Sequence, residues 1–149
     1  MFQDTGFRYF KLDESNFTAW QQPESEIETT ALEQQLELQV DHVDPESSEL
    51  EVLYELLLKA GFKLSEKFEI VDVAQGKLYS ISGEALVIFL GDEITQELLD
   101  EVVKLEPIQF ICLDKAFKGN DQLKANAVQT FSAHNHGRDK TDQIIFRTV

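Results

Sequence analysis

Two apolar runs constrain the architecture more than any other part of this sequence. "ALVIFLG", residues 85 to 91, and "IQFICLD", residues 108 to 114, are almost continuously apolar. A strand with one wet face alternates with a period of two, so a short unbroken apolar run suits a strand covered on both faces. Between the runs lies "EITQELLDEVVKL", opened by Asp92, with Ile94, Leu98, Leu99, Val102 and Leu105 at helical spacing. After them come a second helical segment, "NDQLKANAVQTFSAHN", the polar loop "HGRDKTDQ" and a last strand, "IIFRTV". The order strand, helix, strand, helix, strand predicts parallel strands joined by right-handed crossovers.

The preceding residues add to one side of that unit. "EKFEIVDVAQGKLYSIS" reads as two short β-runs around "AQGK", a hairpin that contributes antiparallel strands. "ELEVLYELLLKAGF" is a strongly apolar helix; Ser48 and Glu51 have capping-box spacing at its start, and Gly61 stands just past its end. Residues 47–149 are therefore expected to form a single α/β domain with a mixed, mainly parallel sheet of about five strands. Residues 1–46 form an appendage: an extended aromatic segment, the polar "QQPESEIE", and an acidic helix from about Thr30 to His42. That helix rests on a second capping-box pair, Thr30 and Glu33, and on Leu32, Leu36 and Val40. His42 would stand at its end, where a cation is favoured.

Charge narrows the partners. The formal net charge is −15, and residues 1–60 hold three basic side chains against fourteen acidic ones. Nucleic-acid affinity comes mainly from Lys and Arg on phosphates, so most of this surface should repel DNA. Residues 107–149 are the exception, with six basic and four acidic side chains. Cys112 is the one cysteine, set among large apolar residues, and reads as a buried inert thiol. The N-terminus has no basic segment followed by a long apolar one, and no run approaches the roughly 20 apolar residues of a membrane helix. A cytoplasmic setting is expected.

No motif reads as catalytic. "DKAFKGNDQLKANAVQTF", residues 114 to 131, has one glycine, Gly119, which follows Lys118; a phosphate loop needs several, with Lys beside Ser or Thr at the helix start. The stretch is predicted to be a strand-to-helix corner capped by Asn120 or Asp121, with Lys118 and Lys124 able to pair with Asp114 and Asp121. It does lie at the carboxyl end of a central strand, where open α/β sheets place ligands. "HNHG", His134 to Gly137, puts histidines at i and i+2 in a polar loop, a weak basis for a metal site even with Asp139 or Asp142 nearby. "PESEIE" and "DPESSE" lack the spacing of a calcium loop. No catalytic, cofactor or metal residue is assigned.

"GFRYFKLDESNFTAW" near the start and "DKAFKGNDQLKANAVQTF…FRTV" at the end resemble the C-terminal region of type III restriction–modification methyltransferases, the Mod subunits. "LEQQLELQVD", "LYELLLKAGFKL" and "GDEITQELLDEVVKLEP" are similar to that family in style and order. The resemblance covers nearly the whole chain. The family's reaction is methyl transfer from S-adenosylmethionine to the exocyclic amine of adenine in DNA. Its Asp-Pro-Pro-Tyr tetrapeptide and Phe-x-Gly-x-Gly cofactor segment have no counterpart here; the nearest text is "VDPE". The resemblance therefore implies a non-catalytic C-terminal domain, excised or truncated from a larger enzyme, with S-adenosylmethionine bound elsewhere in the parent.

The function so implied is assembly: contact with the methyltransferase core of the same chain, with a second Mod subunit, and with the restriction subunit. Phe7, Tyr9, Phe10, Phe17 and Trp20 are the candidate contact residues, because interfaces favour aromatic anchors. Packing on this domain's own sheet is the alternative for them. Two other functions stay open. Asp114, Lys115, Lys118, Asn120, Asp121 and Lys124 would form a turn touching the DNA backbone; DNA would be a partner of the parent complex, with weak or no binding by this fragment. The same turn would otherwise serve an independent small-ligand-binding domain.

Overall fold

The computed structural model describes residues 6–17, 43–74 and 76–149. Trp20, His42 and the helix expected from Thr30 lie outside the described residues. The first α-helix described, α1, spans Glu49–Lys59. Ser48 accepts from the Glu51 backbone N–H, and the Glu51 carboxylate accepts from the Ser48 N–H at 2.7 Å, so the capping box is formed. Those hydrogen bonds, the backbone one first, hold the Glu51 carboxyl below its usual range. At the other end Gly61 takes φ +85, and the N–H groups of Gly61 and Phe62 donate to Leu58 and Leu57. This pairing of the last carbonyls is a Schellman ending, and only glycine adopts its left-handed residue without cost.

Five strands follow in an unbroken spatial order: β1 (Phe68–Val73), β2 (Gly76–Ile81), β3 (Leu86–Phe89), β4 (Gln109–Cys112) and β5 (Ile145–Thr148). β1–β2 and β2–β3 are antiparallel, while β3–β4 and β4–β5 are parallel. The mixed five-stranded sheet of a single α/β domain is thus present. The parallel strands are joined through α2 (Gln96–Leu105) and through a 3₁₀ turn at Asp114–Phe117 followed by α3 (Asp121–Asn135). α2 starts at Thr95, which caps the Leu98 N–H, and not at Asp92 as the sequence suggested. The carboxylates of Asp92 and Glu93 instead face lysines of the next loop.

α2 and α3 cover one face of the sheet. Leu98, Leu99, Val102, Ala127 and Phe131 pack there on Leu78, Val87, Phe89, Phe110 and Cys112. Phe110 on β4, Phe131 on α3 and Phe146 on β5 form a stacked cluster with centroids 4.9 to 5.8 Å apart. α1 covers the opposite face, placing Val52, Leu53, Leu56 and Leu57 over Tyr79, Ile81, Leu86, Ile88 and Ile111. Both faces of β3 are consequently buried, which is why its sequence shows no alternation. Gly91 leaves room for the Phe89 ring, which an added Cβ would overlap.

Candidate functional site

The 114–126 corner is bound into the domain at every lysine. Lys118 Nζ lies 2.7 Å from Glu93, Lys115 Nζ lies 3.7 Å from Asp92, and Lys124 pairs with Asp114. The expected Lys124–Asp114 pair is present, whereas Lys118 reaches Glu93 on the β3–α2 loop and not a carboxylate of its own turn. Asn120, not Asp121, caps α3, accepting from the Leu123 N–H at 3.0 Å. Lys118 and Gly119 both take left-handed backbone, with φ of 50 and 70, which turns the chain from the 3₁₀ segment into the helix.

Neighbouring loops close the carboxyl end of the sheet. The Ile94 N–H donates to Ala116 at 2.9 Å, and the Asp114 N–H donates to Val149 at 2.7 Å. Ligand crevices in open α/β sheets form where successive crossovers leave for opposite faces. Here both crossover helices leave for the same face, so the β3–α2 and β4–α3 loops lean on each other. Cys112 is fully buried beneath them, and burial first, with the Asp114 charge adding, pushes its thiol up to about 12. A thiol held protonated this way is a poor nucleophile.

"HNHG" does not form one loop. His134 and Asn135 belong to the last turn of α3, where Asn135 exchanges two hydrogen bonds with Ile144. Glu106, the left-handed cap of α2, lies 3.5 Å from His134 and 2.9 Å from Arg138. A shallow notch of about 370 Å³ beside them is lined by Glu106, Ile108, Arg138 and Asp142. Among the described residues no three His, Cys, Asp or Glu side chains stand close enough to hold a metal ion. No helix among them is long and apolar enough to cross a membrane.

The aromatic arm, residues 6–17, is the most distinctive surface. It is fastened at two places. The Arg8 guanidinium donates to the carbonyls of Leu64 and Glu66 at 3.2 and 3.0 Å, and the Phe10 ring meets Tyr54 edge-on at 4.9 Å. That contact continues through Phe68 to Tyr79, whose hydroxyl donates to Glu49. Burial first, then that carboxylate, raises the Tyr79 hydroxyl to about 12. At the second fastening the Glu55 carboxylate accepts from the Ser15 hydroxyl, the Asn16 N–H, the Asn16 side-chain amide and Lys59. Burial alone would raise the Glu55 carboxyl, but these donors outweigh it and its pKa falls to about 2. Lys59 also sits 4.0 Å above the Phe17 ring, and Phe17 bridges to Val43.

The arm therefore sorts its side chains. Phe10 and Phe17 pack on this domain, the alternative given for the aromatics, while Phe7 and Tyr9 remain 90% and 82% exposed. Arg8 and Phe10 are the side chains fastened to the domain, and Phe7 and Tyr9 stand beside them in solvent. Leu12, an aliphatic residue outside the aromatic set, is 96% exposed. Leu50 and Leu58 on α1 are half-exposed as well. A scan against protein-family models matches no family, and a search of curated proteins returns no match.

Proposed function

We propose that this chain is the non-catalytic C-terminal domain of a site-specific adenine DNA methyltransferase of the type III restriction–modification class, and that its work is subunit assembly. The family part of this reading rests on the sequence resemblance. The assembly part rests on one observation: Phe7, Tyr9 and Leu12 are held in solvent on an arm whose flanks are fixed by hydrogen bonds. Large apolar side chains on a preorganised segment lose little entropy on docking and make efficient anchors. The partners in this reading are the methyltransferase core of the same chain, a second methyltransferase subunit and the restriction subunit. S-adenosylmethionine and the reacting adenine belong to the parent enzyme, in a cytoplasmic setting.

Contact with DNA through the 114–126 turn is the second reading. The pairing of Lys118 with Glu93 and Lys124 with Asp114 counts against it, since phosphates would have to displace carboxylates already in place. The test is solution mass by light scattering, for the chain alone and mixed with a methyltransferase core. A dimer or a stable complex that Phe7→Ala with Tyr9→Ala abolishes is the expected result. A monomer that ignores the core, or a complex indifferent to those changes, overturns the arm as the assembly surface.

A further inference from the structure

The first strand, which begins two residues past the Glu66 carbonyl that holds Arg8 of the arm, carries a second surface. β1 pairs with β2 on one side only, and its register with β2 runs through six consecutive pairs from Phe68–Ile81 to Val73–Gly76 without a bulge. The Ser82 N–H donates to Lys67 across the continuation of the same register. Hydrogen-bonded pairs alternate along an antiparallel ladder. Lys67, Glu69, Val71 and Val73 therefore direct their backbone groups toward β2, and Phe68, Ile70 and Asp72 direct theirs away from the sheet. Among the described residues nothing bonds those outward groups.

Edges are normally guarded by proline, a bulge, a lysine on the strand, or a covering element. β1, "FEIVDV", has none of the first three. Its charged residues are two carboxylates, Glu69 on the α2–α3 face and Asp72 on the α1 face, and Ile70 is 50% exposed between them. Lys77 stands opposite Asp72 on β2, with no ion pair between them among the described residues. Such an edge repels acidic strands, a second copy of this acidic chain included, and offers opposite charge on both faces to a basic one.

We propose that the free edge of β1 accepts an extended, largely apolar segment of a partner protein that carries two basic side chains three residues apart, one on each face. Backbone pairing with Phe68, Ile70 and Asp72 would supply affinity, and lysines or arginines opposite Glu69 and Asp72 would supply selectivity.

The probe is the peptide acetyl-Ser-Val-Lys-Val-Ile-Lys-Val-Thr-amide, followed by fluorescence anisotropy and by amide NMR of the protein. Shifts confined to Phe68, Ile70, Asp72 and their neighbours are expected. Ile70→Pro removes an outward N–H without touching the β1–β2 ladder, and should abolish binding while the fold persists. Glu69→Lys with Asp72→Lys should lower affinity about tenfold or more, which keeps the test valid if the proline variant does not fold. Equal binding by a peptide N-methylated on its edge-facing nitrogens would reduce the effect to general attraction by a −15 chain and overturn the proposal. Concentration-dependent dimers lost in Ile70→Pro would overturn it in favour of a second copy.

Discussion

Glu55→Gln should loosen the arm and leave a pH signature. The carboxylate takes Ser15 and Lys59 on one oxygen and two Asn16 donors on the other. However a glutamine amide is turned, its NH₂ group faces two of these donors. Losing charge-assisted bonds and opposing donors at such a site costs about 2–3 kcal/mol. The depressed pKa gives a second figure from the same bonds. A fall from 4.5 to about 2 corresponds to roughly 3.5 kcal/mol at 1.4 kcal/mol per unit, and solvent at a side chain 17% exposed brings this to about 2–3 kcal/mol. Because the folded value is depressed, this stability is present above the unfolded pKa and is lost as pH falls from about 4.5 through about 2. The chain has 28 carboxylates, so the wild type alone would not isolate one of them. Urea denaturation of both proteins between about pH 6 and pH 2 does, through the difference between them. That difference should shrink from about 2–3 kcal/mol toward a few tenths as acid protonates Glu55 in the wild type. Proteolysis within residues 6–17 should also quicken in the variant. A difference that stays constant with pH, or a loss under about 0.5 kcal/mol, would refute the clamp.

Two further outcomes follow from the core. Gly91→Ala should cost about 1–3 kcal/mol in chemical denaturation, because the added Cβ overlaps the Phe89 ring, which is itself fully buried and cannot swing aside. Cys112 should resist a thiol reagent in the native protein at pH 8 and react at the rate of an ordinary thiol in denaturant, since burial suppresses both access and the thiolate.

Most of the sheet was legible because its signals are strong and local. The apolar runs at β3 and β4 announce burial on both faces, and the Ser48–Glu51 box marks the start of α1 by chemistry alone. The start of α2 was misread because Asp92 and Thr95 are both acceptable caps; what decides is that Asp92 and Glu93 meet lysines more than twenty residues later. The same long-range pairing sets where the lysines of the 114–126 corner point, which no local spacing in that stretch encodes. The arm was legible as an aromatic segment needing a surface. Which of its rings dock and which stay out depends on where Arg8 and Glu55 fasten it, and no spacing rule encodes that.

The unbroken strand order has a consequence for synthesis on the ribosome. Each strand lies beside the one made just before it, so no strand must wedge between two already paired. The β1–β2 hairpin needs only its own turn, β3 adds to β2, and each crossover then lays one strand on a ready edge. The domain can grow in the direction of translation, with the β5 strand and its Val149 contacts to Asp114 and Cys112 as the final step. Until that step the β4 edge stays open, so residues 145–149 are the ones that cover it.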